Sequence, residues 1–176
     1  ADRIVDEWPE IFPDYKGVTV PYNIAPLNFM TDCFAKGKVK VEASDGSALV
    51  CRMRNGKVCF PVRKWRALLE SAKGATLTVT VMDNDSKAYE PFEISVAEEP
   101  VDRYIAYRLI DPGYVLWNEM GIYQRDLESF RQRAVVENRD LDHACVNCHS
   151  FADRDPEAMV FHARTTAHGG TYVTVD

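Results

Sequence analysis

Six short stretches of this chain alternate apolar and polar residues with a period of two, and no other feature limits the fold as strongly. "KVKVEA" sets Val39, Val41 and Ala43 on one face, "TLTVTVM" sets Leu77, Val79 and Val81, and "PFEISVA" sets Phe92, Ile94 and Val96. "YIAYRLI" does the same with Ile105, Tyr107 and Leu109. The other two stretches flank Asn55-Gly56 in "ALVCRMRNGKVCFPV". Asn-Gly is a strong hairpin signal, because both central residues of a type I′ turn need positive φ. Pairing outward from it opposes Met53 to Val58, Cys51 to Phe60 and Leu49 to Val62, which predicts strands over 48–54 and 57–62. Short strands separated by turn residues predict a mainly β chain, an antiparallel immunoglobulin-like β-sandwich spanning residues 31–112.

One helix interrupts the strands. In "VRKWRALLESAKG", Trp65, Leu68, Leu69 and Ala72 recur at helical spacing, and Gly74 supplies a C-terminal stop. Residues 1–30 carry Pro9, Pro13, Pro21 and Pro26 among aromatics. Proline fixes φ and has no N–H, so this arm should be extended and irregular, pinned by Trp8, Phe12, Tyr15, Tyr22 and Phe29. Residues 113–176 read differently. "YQRDLESFRQRAVVENRDLD" is charged, with a weak helical period through Leu127, Phe130 and Ala134, so a partly helical connector is expected. It leads into a segment that concentrates every histidine.

That segment contains Cys145-Val146-Asn147-Cys148-His149. Two cysteines two residues apart, followed at once by histidine, is the spacing of c-type haem attachment. The thiols bond the porphyrin and the histidine ligates its iron. Asp153 or Asp155 is placed to cap a helix starting at Pro156, which would bring Met159 and His162 to one face as rival second ligands. His168 is an outside candidate. Zinc is the rival chemistry. Cys145 and Cys148, thirteen residues to His162 and five more to His168 match a Cys₂His₂ spacing. A plain disulfide between Cys145 and Cys148 is the third reading. Haem is preferred because it alone uses His149. Cys33, Cys51 and Cys59 read as small buried hydrophobes, with Cys51 and Cys59 on opposite faces of their hairpin.

A net charge of −6 and a pI near 5.3 argue against nucleic acid, whose phosphates are held by clustered Lys and Arg. No apolar run reaches the roughly 20 residues of a membrane-spanning helix. Asp83 and Asp85 in "MDNDSK" lack the glycine and distal glutamate of a calcium loop. No nucleophile–base pattern or phosphate-binding glycine loop is present, so no catalytic residue is assigned and an enzyme is not expected.

The run "EPVDRYIAYRLIDPGYVLWNEMGIYQRDLESF", with "ENRDLDHACVNCHSF" and "DPEAMVFHARTTAHGGTYV", resembles a group of bacterial exported proteins with TolB-like β-propellers. "IFPDYKGVTVPYNIAPLNF" is similar to their leading segment. In that group "HGGT" leads into propeller repeats. The resemblance therefore implies an N-terminal module cut away before its propeller, and a periplasmic or cell-surface location. Together these readings predict an exported haem c module for electron transfer or haem sensing, with a redox or surface protein as partner. The runner-up is a surface-interaction or glycan-binding module whose cysteines merely brace it, by a disulfide or by zinc.

Overall fold

Asn55 and Gly56 take φ values of 49° and 70°, the left-handed pair that a type I′ turn demands. They belong to a computed structural model that describes residues 3–85, 87–110, 119–165 and 169–175. The chain is mainly β with one α-helix among the described residues, and it divides into two units. Unit 1 comprises residues 1–103 with 127–129; unit 2 comprises 104–126 and 130–176.

Unit 1 is built on β1 (Arg3–Ile4), β2 (Thr19–Pro21), β3 (Phe29–Met30), β4 (Lys36–Ala43), β5 (Ala48–Arg54) and β6 (Lys57–Val58). Helix α1 (Val62–Ser71) follows, then β7 (Thr76–Asp83), β8 (Lys87–Ala88) and β9 (Phe92–Ala97). All nine strands join one sheet. Its centre is β7–β4–β5, antiparallel throughout, with Val39 paired to Cys51 on one side and to Val81 on the other. The short strands β1 and β2 add parallel to β8 and β9.

The alternation is realised as expected in β4, β7 and β9. Val39, Val41, Leu77, Val79, Val81, Phe92, Ile94 and Val96 all turn to one core, and α1 adds Trp65, Leu68, Leu69 and Ala72. Each Val, Leu, Ile and Phe among them contributes about 1.5–3 kcal/mol when fully buried. Tyr15, Tyr22 and Phe29 of the N-terminal arm pack on the same core. Trp8 and Phe12, expected to help pin the arm, are instead 57% and 71% exposed.

The second hairpin strand is shorter than the 57–62 expected. Pairing holds from Arg54–Lys57, but β6 ends at Val58 and Val62 opens the helix. The expected pair of Leu49 with Val62 does not form; on its other edge Leu49 is opposed to Val41 of β4. Pro61 explains the stop, since it offers no N–H to a ladder and suits a helix entrance. The cysteines also differ from expectation. Cys33 and Cys59 are exposed, and only Cys51 is partly covered.

Unit 2 holds β10 (Tyr104–Ile110), β11 (Met120–Asp126), β12 (Gln132–Glu137), β13 (Cys145–Phe151), β14 (Met159–Thr165) and β15 (Gly169–Val175). They form two successive antiparallel meanders, β10–β11–β12 and β13–β14–β15. The mostly irregular or helical C-terminal segment expected from sequence is therefore corrected to strands. Helical structure among its described residues is confined to two short 3₁₀ turns, Asn138–Leu141 and Ala152–Arg154. The sixth alternating stretch, 104–110, pairs with β11 rather than with the sheet of unit 1. A small core of Ile122, Ala144, Val146, Met159, Phe161 and Ala163 holds this unit together.

Candidate functional site

The Cys145–His149 motif lies on β13, and local backbone chemistry delivers it there. Glu137 and Asp140 close a reciprocal cap over the 3₁₀ turn, with the Glu137 N–H donating to Asp140 Oδ2 at 3.1 Å. Asp142 and His143 then take left-handed φ of 50° and 56°, which reverses the chain into the strand. Asp and His are among the residue types that tolerate this region better than β-branched ones.

Register decides which way each motif side chain faces. Cys145 pairs with Arg164, Val146 with Ala163 and Asn147 with His162; after an irregularity, Ser150 pairs with Val160 and Phe151 with Met159. Two residues, Cys148 and His149, thus stand opposite the single residue Phe161. This is a β-bulge, with Cys148 at φ 53°. Val146 and Ala163 are buried, so Cys145 and Asn147 share the outer face with His162. His149 turns the other way. Its Nε2 lies 3.3 Å from the carbonyl oxygen of Ala106 on β10.

The second-ligand candidates separate too. No helix starts at Pro156. Asp155 does accept the Glu157 N–H at 2.9 Å, as a helix cap would, but the chain passes from that turn directly into β14. On a strand, residues three apart face opposite sides. Met159 is 6% exposed and packs in the core, whereas His162 is half-exposed on the outer face. The His162 ring lies across the backbone of Gly170, where a β-carbon would come within 2.5 Å of its Nε2. His168 lies outside the described residues.

Among the described residues, no three His, Cys, Asp or Glu side chains converge on a point that would hold a metal ion. Cys145 and Cys148 are unbonded, the first half-exposed and the second exposed. The donors are those that haem c chemistry requires, but the closed ladder does not present them as a porphyrin needs. Cys145 and His149 face opposite sides, and the imidazole nitrogen used for iron is occupied by Ala106. Beside the motif, Ala106, Val135, Phe151, Met159 and Gln124 line a groove of 460 Å³.

Unit 1 holds a site that the sequence reading passed over. On the outer face of β4 and β5, Lys36 is paired with Arg54 and Lys38 with Arg52. With Asn55, Asp83 and Asn84 they line a groove of 820 Å³. The signal was present in "KGKVK" and "RMR", whose cations repeat at every second residue, but it was read only for its apolar half.

Thiol chemistry separates the cysteines. Cys51 donates its S–H to the Cys59 carbonyl at 3.2 Å, and burial pushes its thiol pKa up. Alkylation at neutral pH, followed by peptide mass spectrometry, should therefore modify Cys33, Cys59 and Cys148 first and Cys51 last. Equal rates at Cys51 and Cys148 would contradict this placement.

No helix among the described residues is long and apolar enough to cross a membrane. No protein-family model matches this chain, and neither the curated proteins nor the solved structures contain a match to it.

Proposed function

We propose that the chain is an exported module whose Cys145–His149 segment takes a covalent haem c, serving electron transfer or haem sensing. The observation that carries this reading is that both thiols are unbonded, the first half-exposed and the second exposed at the bulge itself, with a histidine directly after it. Bound there, haem would supply a one-electron couple tuned by its axial ligands.

Cys145, Cys148 and His149 would hold the group, and the closed ladder sets a condition on how. His149 has to leave the Ala106 carbonyl, and Cys145 has to turn from the outer face. Attachment therefore belongs to the chain before β13 joins its sheet, and a loaded protein should lack the β13–β14 pairing. The second ligand stays open between Met159 and His162, since Met159 is reached only by opening the core and His162 only from the outer face.

The remaining parts of this proposal follow from the same reading. A periplasmic or cell-surface location suits covalent haem attachment, and a redox or surface protein would be the partner. The immunoglobulin-like sandwich expected over 31–112 is proposed for its strands up to Ala97, whose inward faces share one buried core.

The test is co-expression with a haem-maturation system, followed by denaturation and a reduced pyridine haemochrome spectrum. Haem should stay with the wild-type chain and be absent from the Cys145→Ser, Cys148→Ser double variant. Haem added afterwards to the folded, haem-free protein should remain extractable. A wild-type chain without covalent haem, beside a control cytochrome that matures normally, removes the proposal.

A second reading, a surface-interaction module, is favoured by one specific feature, the cation-lined groove of unit 1.

A further inference from the structure

Cations seldom face each other directly across a strand pair, because like charges in that position destabilise the sheet. Here it happens twice in succession, Lys36 against Arg54 and Lys38 against Arg52. It happens in a chain whose net charge is −6. Among the described residues none of the four forms an ion pair with a carboxylate. Lys40, next along β4, is by contrast neutralised by Glu42 at 2.8 Å. Among the described residues the only acid lining the groove is Asp83, and its Oδ1 accepts the N–H groups of Asp85 and Lys87 at 2.8 and 2.9 Å. Lys57, paired with Arg54, adds a further cation at the rim. Four cations set against the single carboxylate of Asp83 leave the groove with a net positive charge.

We propose that this groove binds an acidic polysaccharide, a chain of uronate sugars, with Lys36, Lys38, Arg52 and Arg54 holding carboxylates and Asn55 and Asn84 meeting hydroxyls. This inference rests on the surface-interaction reading and is independent of haem attachment. Charge complementarity requires an anionic occupant, and the other lining residues choose its class. Arginine forks match carboxylates bidentately. An Asn side chain offers both donors and an acceptor, which is what a sugar hydroxyl uses. Among the described residues no aromatic ring lines the groove on which nucleic-acid bases would stack. The floor is made from β4, which is flanked by β5 and β7 along its length. Its backbone hydrogen bonds are already made, so β4 itself offers a peptide no free ladder to extend.

The experiment is affinity electrophoresis of the whole chain through gels containing polygalacturonate, with dextran and poly-glutamate gels alongside. Polygalacturonate should retard the wild-type protein, dextran should not, and retardation should fall as salt rises. Lys38→Gln with Arg52→Gln should weaken the interaction at least tenfold, with a melting temperature no lower than that of the wild type, because opposed like charges have been removed. Asn84→Ala should weaken binding to polygalacturonate and leave any residual binding to poly-glutamate unchanged. Equal retardation by poly-glutamate, with Asn84→Ala silent, overturns the saccharide assignment but leaves a polyanion-binding module. Retardation by neither polyanion overturns both.

Discussion

Replacing Trp65 with alanine should lower the stability of unit 1 by about 3–5 kcal/mol, the range for removing a large buried aromatic. Trp65 is 1% exposed and stacks on Phe60 with ring centroids 5.1 Å apart. Leu68 and Leu69 of the same helix are buried with it, so the helix docks through a continuous face and the void has little room to collapse. The indole Nε1 has no hydrogen-bond partner among the described residues, which sets up a second comparison. An unmet buried donor costs about 1–3 kcal/mol. Trp65→Phe should therefore lose much less than Trp65→Ala, because removing that donor offsets part of the lost packing. Urea unfolding at constant m-value measures both. Similar midpoints for the two variants would show that the ring is not held as described.

Phe161→Ala should be as costly, about 3–5 kcal/mol, and more consequential. Its ring is 2% exposed and is the one aromatic among the six buried residues that form the core of unit 2. Whole domains are stable by only about 5–15 kcal/mol, and a core this small sits at the low end. The variant should lose the β13–β14 pairing first, because Phe161 lies under the bulge at Cys148 and His149. Cys145, half-covered in the wild type, should then alkylate as fast as Cys148. An unchanged Cys145 rate, together with unchanged amide exchange in β14, would show that Phe161 does not hold the motif strand.

The strands of unit 1 and the helix were legible because long runs kept one period. Four apolar positions at helical spacing fix α1, and its three largest are buried as expected. Unit 2 was misread for two physical reasons. Leu127, Phe130 and Ala134 suggested a helical stripe, yet they share no surface: Leu127 belongs to unit 1, while Phe130 and Ala134 are exposed. "DPEAMVFHAR" opens with the proline and acids of a helix start. Its alternation of Met159, Phe161 and Ala163 is what the core selects, so tertiary burial overrides the local cap. The motif residues were named correctly as chemistry, but not as geometry. A β-bulge cannot be read from five residues, because it depends on the partner strand's register. The cation-lined groove was missed for the opposite reason. Its residues alternate faultlessly, but lysines and arginines on an outer face were taken as ordinary solvated charge.

The glycine at position 170 governs a residue on the neighbouring strand. Because the His162 ring rests over a position without a β-carbon, any side chain there would tilt or lift the imidazole. The aim of His162, and so whichever proton or ligand it meets, is written partly in β15. In descendants of this chain the two positions should drift as a couple, with a bulkier residue at 170 accompanying loss of the imidazole at 162.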